Sequence, residues 1–287
     1  MDAFQEACRL LPSELSRALC AFPAAEEIRL RAGRLPSVVL AGTEQVFSAQ
    51  PVSTLVLQQI LERATGASMH TAAPALANGY LPCGRLRIGV CGEGIMKGDS
   101  WTGFRSFGSL AIRIPHTAPE IDPVILSLVS QQPLRNTLIV APPGVGKTSC
   151  LRELVRLVSD HGIRVSVADE RNELAASENG RPGFDLGQCS DVIIGLPKLP
   201  AAMMLLRGMN PQLIAMDEIT CPEDLNAIRE ITGCGVVIYA TAHGRSTDDM
   251  RKRQLYQGLF SHKVFHRAIV ISLSEGRRIY TMENLDL

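Results

Sequence analysis

Residues 141–148 read APPGVGKT, and this octet is the feature that most restricts the fold of the chain. An apolar segment, residues 137–140, precedes it, and a segment with apolar residues at helical spacing begins near Lys147. The octet differs from the phosphate-loop pattern G-x-x-x-x-G-K-[ST] only at its first position, which is Ala141. That position serves the turn out of the strand, so we expect alanine to be compatible with the loop when its φ is negative. The sequence therefore predicts a strand, a phosphate loop and a helix in that order.

The loop predicts the cofactors ATP and Mg²⁺. Backbone N–H groups at a helix N-terminus attract phosphate, and the lysine and hydroxyl that end the motif reach the phosphates and the metal. We assign Lys147 to the β- and γ-phosphates and Thr148 to Mg²⁺. The predicted nucleotide-binding residues are Pro143, Gly144, Val145, Gly146, Lys147, Thr148 and Ser149.

A second motif is the apolar segment 213–216, which is followed by Asp217 and Glu218. At the end of a strand beside a phosphate loop, Asp217 is suited to the outer sphere of Mg²⁺ and Glu218 to polarise the attacking water. The alternative is that both acids favour the N-terminus of the next helix, near residues 222–231. Their position after the loop along the chain favours the catalytic interpretation.

Two further polar residues follow predicted strands. Glu170 comes just after segment 164–168, and His243 comes after segment 236–240. Ligands of an open parallel sheet bind at the carboxyl ends of its strands, so both side chains are expected in one crevice. We interpret Asp169 or Glu170 as the residue that orients water or metal, with Glu170 as the catalytic candidate, and His243 as a catalytic residue that contacts the γ-phosphate. For each residue alone, a structural role is an open alternative.

Strand and helix segments alternate over residues 116–287, which predicts an α/β fold: a RecA-like P-loop NTPase core with a mainly parallel sheet. The core is expected to end in a β-hairpin around Glu275 and Gly276. Residues 1–115 combine short extended segments with one helix over 52–64, and they predict a smaller α+β domain that precedes the core.

Charge and cysteine content exclude several function classes. Lysine plus arginine and aspartate plus glutamate both number 29, so the net charge is zero and no nucleic-acid partner is expected. The eight cysteines include no C-x-x-C pair, which favours reduced thiols over a disulfide framework. No apolar run reaches membrane-spanning length, and the chain begins without a secretory signal pattern. We expect a cytoplasmic protein whose contact with any membrane is indirect.

Four segments besides the loop and the Asp-Glu strand end carry a family resemblance: EIRLRAGRLP at 27–36, DERNELA at 169–175, LPK at 196–198 and ATAHG at 240–244. They resemble the stage III sporulation protein AA family over nearly the whole chain. The resemblance implies the ATPase of the channel that links mother cell and forespore in endospore-forming bacteria. The core is also distantly similar to type II and type IV secretion motors. Their acidic box corresponds to Asp169 and Glu170, and their histidine box corresponds to His243.

The resemblance further implies partners: copies of the same chain, in a ring that is most simply a hexamer, and membrane subunits of the channel. The protein would then be peripheral at the inner face of that membrane channel. Such enzymes gain rate when an arginine reaches the transferring phosphoryl group, and it can come from another subunit. We find no arginine in the core whose spacing marks it for this role. The candidates in the smaller domain are Arg85, Arg87, Arg105 and Arg113.

Two alternative functions stay open from the sequence. One is a RecA-like ATPase that acts on nucleic acid, which the zero net charge and the single basic run, residues 251–253, disfavour. The other is a scaffold that binds nucleotide without turning it over, which the presence of Glu218 disfavours.

Overall fold

The computed structural model describes most of the chain, which forms two compact units, residues 1–117 and 118–287. The described residues are 2–40, 42–66, 72, 76, 79–97, 100–115, 122–130, 133–177, 180–274 and 277–285. The expected turn at Glu275 and Gly276 lies outside them.

The N-terminal unit is built on an antiparallel sheet with the strand order β3-β2-β1-β6-β5-β4. Alternate residues of its strands, such as Ile28 and Leu30 in the first, are fully buried. The described elements are α1 (Ala3–Leu10), α2 (Ser13–Leu19), β1 (Glu27–Arg31), β2 (Ser37–Leu40), β3 (Thr43–Val46), α3 (Thr54–Ala64), β4 (Tyr80–Cys83), β5 (Leu86–Lys97) and β6 (Ser100–Arg113).

Helix α3 begins two residues later than the sequence predicts. The side chain of Ser53 accepts a hydrogen bond of 3.3 Å from the N–H of Val56, which caps the first turn. Leu57, Ile60 and Leu61 form its buried face. Leu55 is 61% exposed because it lies on the opposite side of the helix.

The C-terminal unit has a sheet with the order β13-β12-β7-β11-β10-β8-β9 over the described residues. Every neighbouring pair is parallel except β12 and β13, so the prediction of a mainly parallel sheet is confirmed. The described elements are α4 (Pro123–Ser130), β7 (Thr137–Ala141), α5 (Lys147–Asp160), β8 (Val165–Asp169), β9 (Ser190–Ile194), α6 (Lys198–Gly208), β10 (Leu213–Met216), α7 (Pro222–Gly233), β11 (Val237–His243), α8 (Thr247–Lys252), α9 (Gln254–Ser261), β12 (Arg267–Ser274) and β13 (Arg277–Asn284).

Helices cover both faces of this sheet, as the continuous apolar strands require. In β7, Ile139 packs in a core cluster with α4 and α5, whereas Leu138 packs in a second cluster with α6 and α7. The alternation follows from the two-residue period of a strand. The carboxyl ends of β7, β8, β10 and β11 consequently lie side by side at one edge, where the loops that follow them meet.

Among the described residues, no helix combines the length and the apolar composition that crossing a membrane requires.

Candidate nucleotide site

The phosphate loop connects β7 to α5. Gly144 and Gly146 have φ values of 77° and 108°, a left-handed backbone that favours glycine, and Gly146 is the N-cap of α5. Ala141 is the last residue of β7 and is fully buried in an extended conformation, which meets the condition that its φ is negative. The first glycine of the motif is therefore not needed for this turn. The loop can present its N–H groups to an anion at the start of a 14-residue helix.

The remaining predicted loop residues lie around this turn. Pro143 is exposed beside Gly144, Val145 is buried against the core, and Ser149 lies in the first turn of α5. Lys147 is 8% exposed, and its Nζ lies 3.1 Å from Nε2 of His243. The loop lysine is thus held next to the residue that ends β11.

Thr148 and Asp217, the two predicted metal ligands, are in direct contact. The Thr148 hydroxyl donates a hydrogen bond of 2.7 Å to Oδ2 of Asp217, and the Thr241 hydroxyl donates to Oδ1. A hydroxyl and a carboxylate are the hard oxygen ligands that Mg²⁺ prefers, so the pair fits that ion. Among the described residues, no group of three or more histidines, cysteines or acids is placed to hold a metal ion.

Asp217 and Glu218 do not cap the next helix, α7. Asp224, at the third position of α7, accepts hydrogen bonds from the N–H groups of Thr220 at 2.8 Å and Cys221 at 3.3 Å. The N-terminus of α7 is thereby satisfied by an acid of its own first turn.

Glu218 lies at the centre of the site. Its φ is 54°, a strained value for a residue other than glycine, and its N–H donates a 2.8 Å hydrogen bond to the hydroxyl of Thr241. Oε1 lies 2.9 Å from Nε2 of His243, and Oε2 accepts a 2.6 Å hydrogen bond from Nη1 of Arg171. Both oxygens of the predicted base therefore have partners.

His243 lies between a cation and an anion, because its Nε2 faces both Lys147 and Glu218. In a neutral ring, Nε2 can accept a hydrogen bond from the lysine or donate one to the carboxylate, but not both at once. The tautomer of this ring consequently decides which of the two neighbours Nε2 binds.

Glu170 pairs with Lys198, whereas the other two predicted catalytic residues, Glu218 and His243, contact each other. Its Oε2 accepts a 2.8 Å hydrogen bond from Nζ of Lys198, which also lies 3.3 Å from Oδ1 of Asp224. Lys198 is 4% exposed. Burial lowers the pKa of its ammonium, but the hydrogen bond to Glu170 and the charge of Asp224 outweigh this, so the pKa is raised. The structure thus links the acidic segment after β8 to the start of α7.

Asp169, the neighbour of Glu170, stabilises the conformation of the loop that follows β8. It is almost fully buried and accepts hydrogen bonds of 2.8–3.0 Å from the N–H groups of Glu173, Leu174 and Ala175. Burial raises its pKa to about 6, although these N–H groups lower it. Asp169 therefore shapes the loop that carries Glu170 and Arg171.

Sequence reasoning missed Arg171 and Lys198. Arg171 lies in the core and contacts Glu218 directly, although its spacing in the sequence did not mark it as a candidate arginine for the site. The four arginines expected from the smaller domain have partners within their own unit: Arg85 with Glu6 at 3.9 Å, Arg105 with Glu93 at 3.1 Å, Arg113 with Glu27 at 3.4 Å, and Arg87 over the ring of Tyr80. The signal for Arg171 was its place in the DERNE segment, one residue after Glu170.

Comparison with known proteins decides the family. The model of the family "Sporulation stage III, protein AA" matches residues 5–281. The chain belongs to the stage III sporulation protein AA family. It is 32% identical over 282 residues to the stage III sporulation protein AA of Bacillus subtilis, covering 94% of this chain and 92% of that protein.

Solved structures confirm the fold of this family member. The ATPase DotB of Legionella pneumophila aligns with a TM-score of 0.62 at 18% identity, covering 96% of this chain and 82% of that one. The pilus retraction motor PilT, solved with bound ADP, aligns with a TM-score of 0.57 at 16% identity, covering 94% and 81%. The predicted class, a P-loop core preceded by a smaller α+β domain, is therefore confirmed.

Proposed function

We propose that the protein binds ATP with Mg²⁺ and hydrolyses it. One observation carries the proposal: Lys147, Thr148, Asp217, Glu218 and His243 converge through contacts of 2.7–3.1 Å at the N-terminus of α5. They come from the ends of three strands that are distant in sequence but adjacent in the sheet. A cation, a metal-binding pair and a carboxylate at one helix terminus suit phosphoryl transfer to water.

Each residue has a distinct proposed role. The loop N–H groups and Lys147 hold the phosphates, and Thr148 and Asp217 hold Mg²⁺, which neutralises phosphate charge when bound. Glu218 accepts a proton from the attacking water, for which one of its oxygens has to leave Arg171 or His243. His243 contacts the γ-phosphate after Lys147 turns to the nucleotide. Glu170, which Lys198 holds nearby, is the second candidate base.

We further propose that the protein acts as a ring, most simply a hexamer, that powers or assembles a membrane-spanning secretion-like channel during endospore formation. Its membership of a sporulation family supports the setting, and its fold, shared with a pilus retraction motor, supports the motor role. Other partners would be membrane subunits of that channel, with the protein cytoplasmic and peripheral at its inner face. Arg85, Arg87, Arg105 and Arg113 stay candidates for a contribution between subunits.

A nucleotide-binding scaffold without turnover is the second candidate, and it is favoured by the two partners that occupy both oxygens of Glu218. A hydrolysis assay on the full chain separates the two functions, with light scattering to follow assembly with and without ATP. We expect phosphate release by the parent protein and growth in mass with ATP. ATP binding without phosphate release at any protein concentration would favour the scaffold.

Two variants test the assigned roles. Lys147→Ala should abolish ATP binding, because the cation at the β- and γ-phosphates is lost, while Lys252→Ala at the exposed end of α8 is the matched control. Glu218→Gln should bind ATP and stall hydrolysis, since a neutral amide cannot accept the proton. Hydrolysis at the parental rate by Glu218→Gln would move the role of base to Glu170.

A further inference from the structure

The C-terminal hairpin, β12 and β13, contacts the phosphate loop through Arg278. Strand β12 pairs in parallel with β7, the strand that leads into the loop, and β13 folds back beside β12 with Arg278 opposite Leu273. This arrangement places Arg278 beside the loop residue Val145, although the two lie 133 residues apart in the sequence. Its Nε donates a 2.8 Å hydrogen bond to the carbonyl oxygen of Val145.

The same guanidinium lies against Gly146. A methyl group placed on this glycine would lie 3.0 Å from Nε and 3.2 Å from Cζ of Arg278, closer than such atoms normally approach. The φ of 108° favours glycine at this position, and a side chain there would press on the guanidinium of Arg278. The contact fixes the guanidinium on the outer side of one particular peptide unit.

That peptide unit joins the carbonyl of Val145 to the N–H of Gly146. In a phosphate loop the N–H groups turn toward the phosphates, so the carbonyls are left on the outer side. A charged donor on the carbonyl polarises the peptide and strengthens hydrogen bonding by its N–H. It also removes the freedom of the peptide to rotate.

We propose that Arg278 is a positioning residue of the nucleotide site, which holds the Val145–Gly146 peptide in the orientation that binds the diphosphate of ATP or ADP. The inference rests on the proposed function, since it requires that the loop binds a nucleotide. The C-terminal hairpin is then a part of the site. The affinity for nucleotide depends on how this hairpin packs against the phosphate loop.

The test is the Kd of the full chain for ADP and ATP, measured by calorimetry on Arg278→Ala, Arg278→Lys and the control Arg277→Ala. Arg277 is the exposed neighbour on the same strand. Arg278→Ala should weaken both nucleotides by a similar factor of about tenfold or more, because both contain the diphosphate. Arg278→Lys should recover part of the loss, since an ammonium can still donate to the carbonyl. Arg277→Ala should bind like the parent.

Steady-state kinetics distinguish a positioning role of Arg278 from a catalytic one, and urea unfolding distinguishes both from a general loss of structure. For Arg278→Ala we expect KM to rise with a smaller change in kcat, and unfolding by urea without nucleotide to be nearly unchanged. Parental affinity in Arg278→Ala, or an equal loss in Arg277→Ala, would overturn the inference. If Arg278→Ala does not fold, Arg278→Lys decides alone: intermediate affinity supports the role and parental affinity refutes it. Failure of the parent chain to bind either nucleotide would overturn the proposed function, and this inference with it.

Discussion

Arg171 donates a hydrogen bond of 2.6 Å to the carboxylate of Glu218, and the two residues come from the ends of neighbouring strands, β8 and β10. The ion pair places a cation beside the carboxylate of the candidate base. Phosphate groups carry more negative charge than one carboxylate, so a bound nucleotide competes for the same guanidinium. Under the proposed function, a bound ATP would draw Arg171 away and release Glu218.

Replacing Arg171 should therefore reduce turnover more than binding. We expect Arg171→Ala to lower kcat at saturating ATP by about a hundredfold or more, because the guanidinium no longer meets the charge on the transferring phosphoryl group. The Kd for ADP should change little, since ADP lacks that group. Steady-state phosphate release and calorimetry measure the two quantities.

Arg181→Ala is the matched control for this variant, because Arg181 is an exposed arginine further along the same connection between β8 and β9. Its turnover should equal that of the parent. If Arg171→Ala hydrolyses ATP as fast as the parent or faster, Arg171 does not assist the reaction, and its ion pair only restrains Glu218.

The sequence was sufficient for the parts of the fold that local pattern determines. Segment 213–216 is strand β10 with the predicted bounds, and α5 begins at Lys147, because the apolar strand and the phosphate loop each have a strong local pattern. Strand β9 was missed. It is an edge strand whose residues are at most partly buried, so its pattern is weak.

The contacts that complete the site depend on tertiary structure and so were less predictable. Lys198 lies 28 residues from Glu170 in sequence, and Arg278 lies 133 residues from Val145. Neither spacing has a periodicity that a single sequence reveals. Glu218 and His243 were predictable because a parallel sheet brings its strand ends together wherever they lie in the chain.

Ala141 allows a test of how much the first position of the loop matters. It is buried at the end of β7 and pairs with His243 across the ladder. Ala141→Gly should change nucleotide affinity only modestly, because the N–H donors lie further along the loop, and should destabilise the fold by about 0.5–1 kcal/mol. Calorimetry and urea unfolding measure these effects. A gain in affinity well beyond about tenfold would show that alanine strains the loop.

Lys198 should contribute more to stability than an ordinary surface lysine. Lys198→Met removes the cation between Glu170 and Asp224 and leaves the buried Asp224 carboxylate without its ion pair. Breaking a buried pair in this way costs about 3–5 kcal/mol of unfolding free energy. Urea unfolding measures it, with Lys252→Met as the exposed control, for which a change within about 0.5 kcal/mol is expected. A loss of similar size in both variants would contradict a special role for the buried lysine.

Asp169 should give the stability of the protein a pH dependence of definite sign. Its pKa is about 6 in the fold, above the ordinary value of 3.8, because the carboxyl is buried. The stabilisation by this group is complete below pH 3.8 and is lost as pH rises through about 6, and the difference in pKa corresponds to about 3 kcal/mol.

Asp169→Asn cannot titrate and also loses an acceptor for the loop N–H groups. It should therefore be less stable than the parent at pH 4, with a difference that shrinks toward pH 7. Urea unfolding across this range, with Asp185→Asn as a control for loss of an acid nearby, measures the trend. A difference that stays constant or grows with pH would mean that the three N–H groups, and not burial, govern the Asp169 carboxylate.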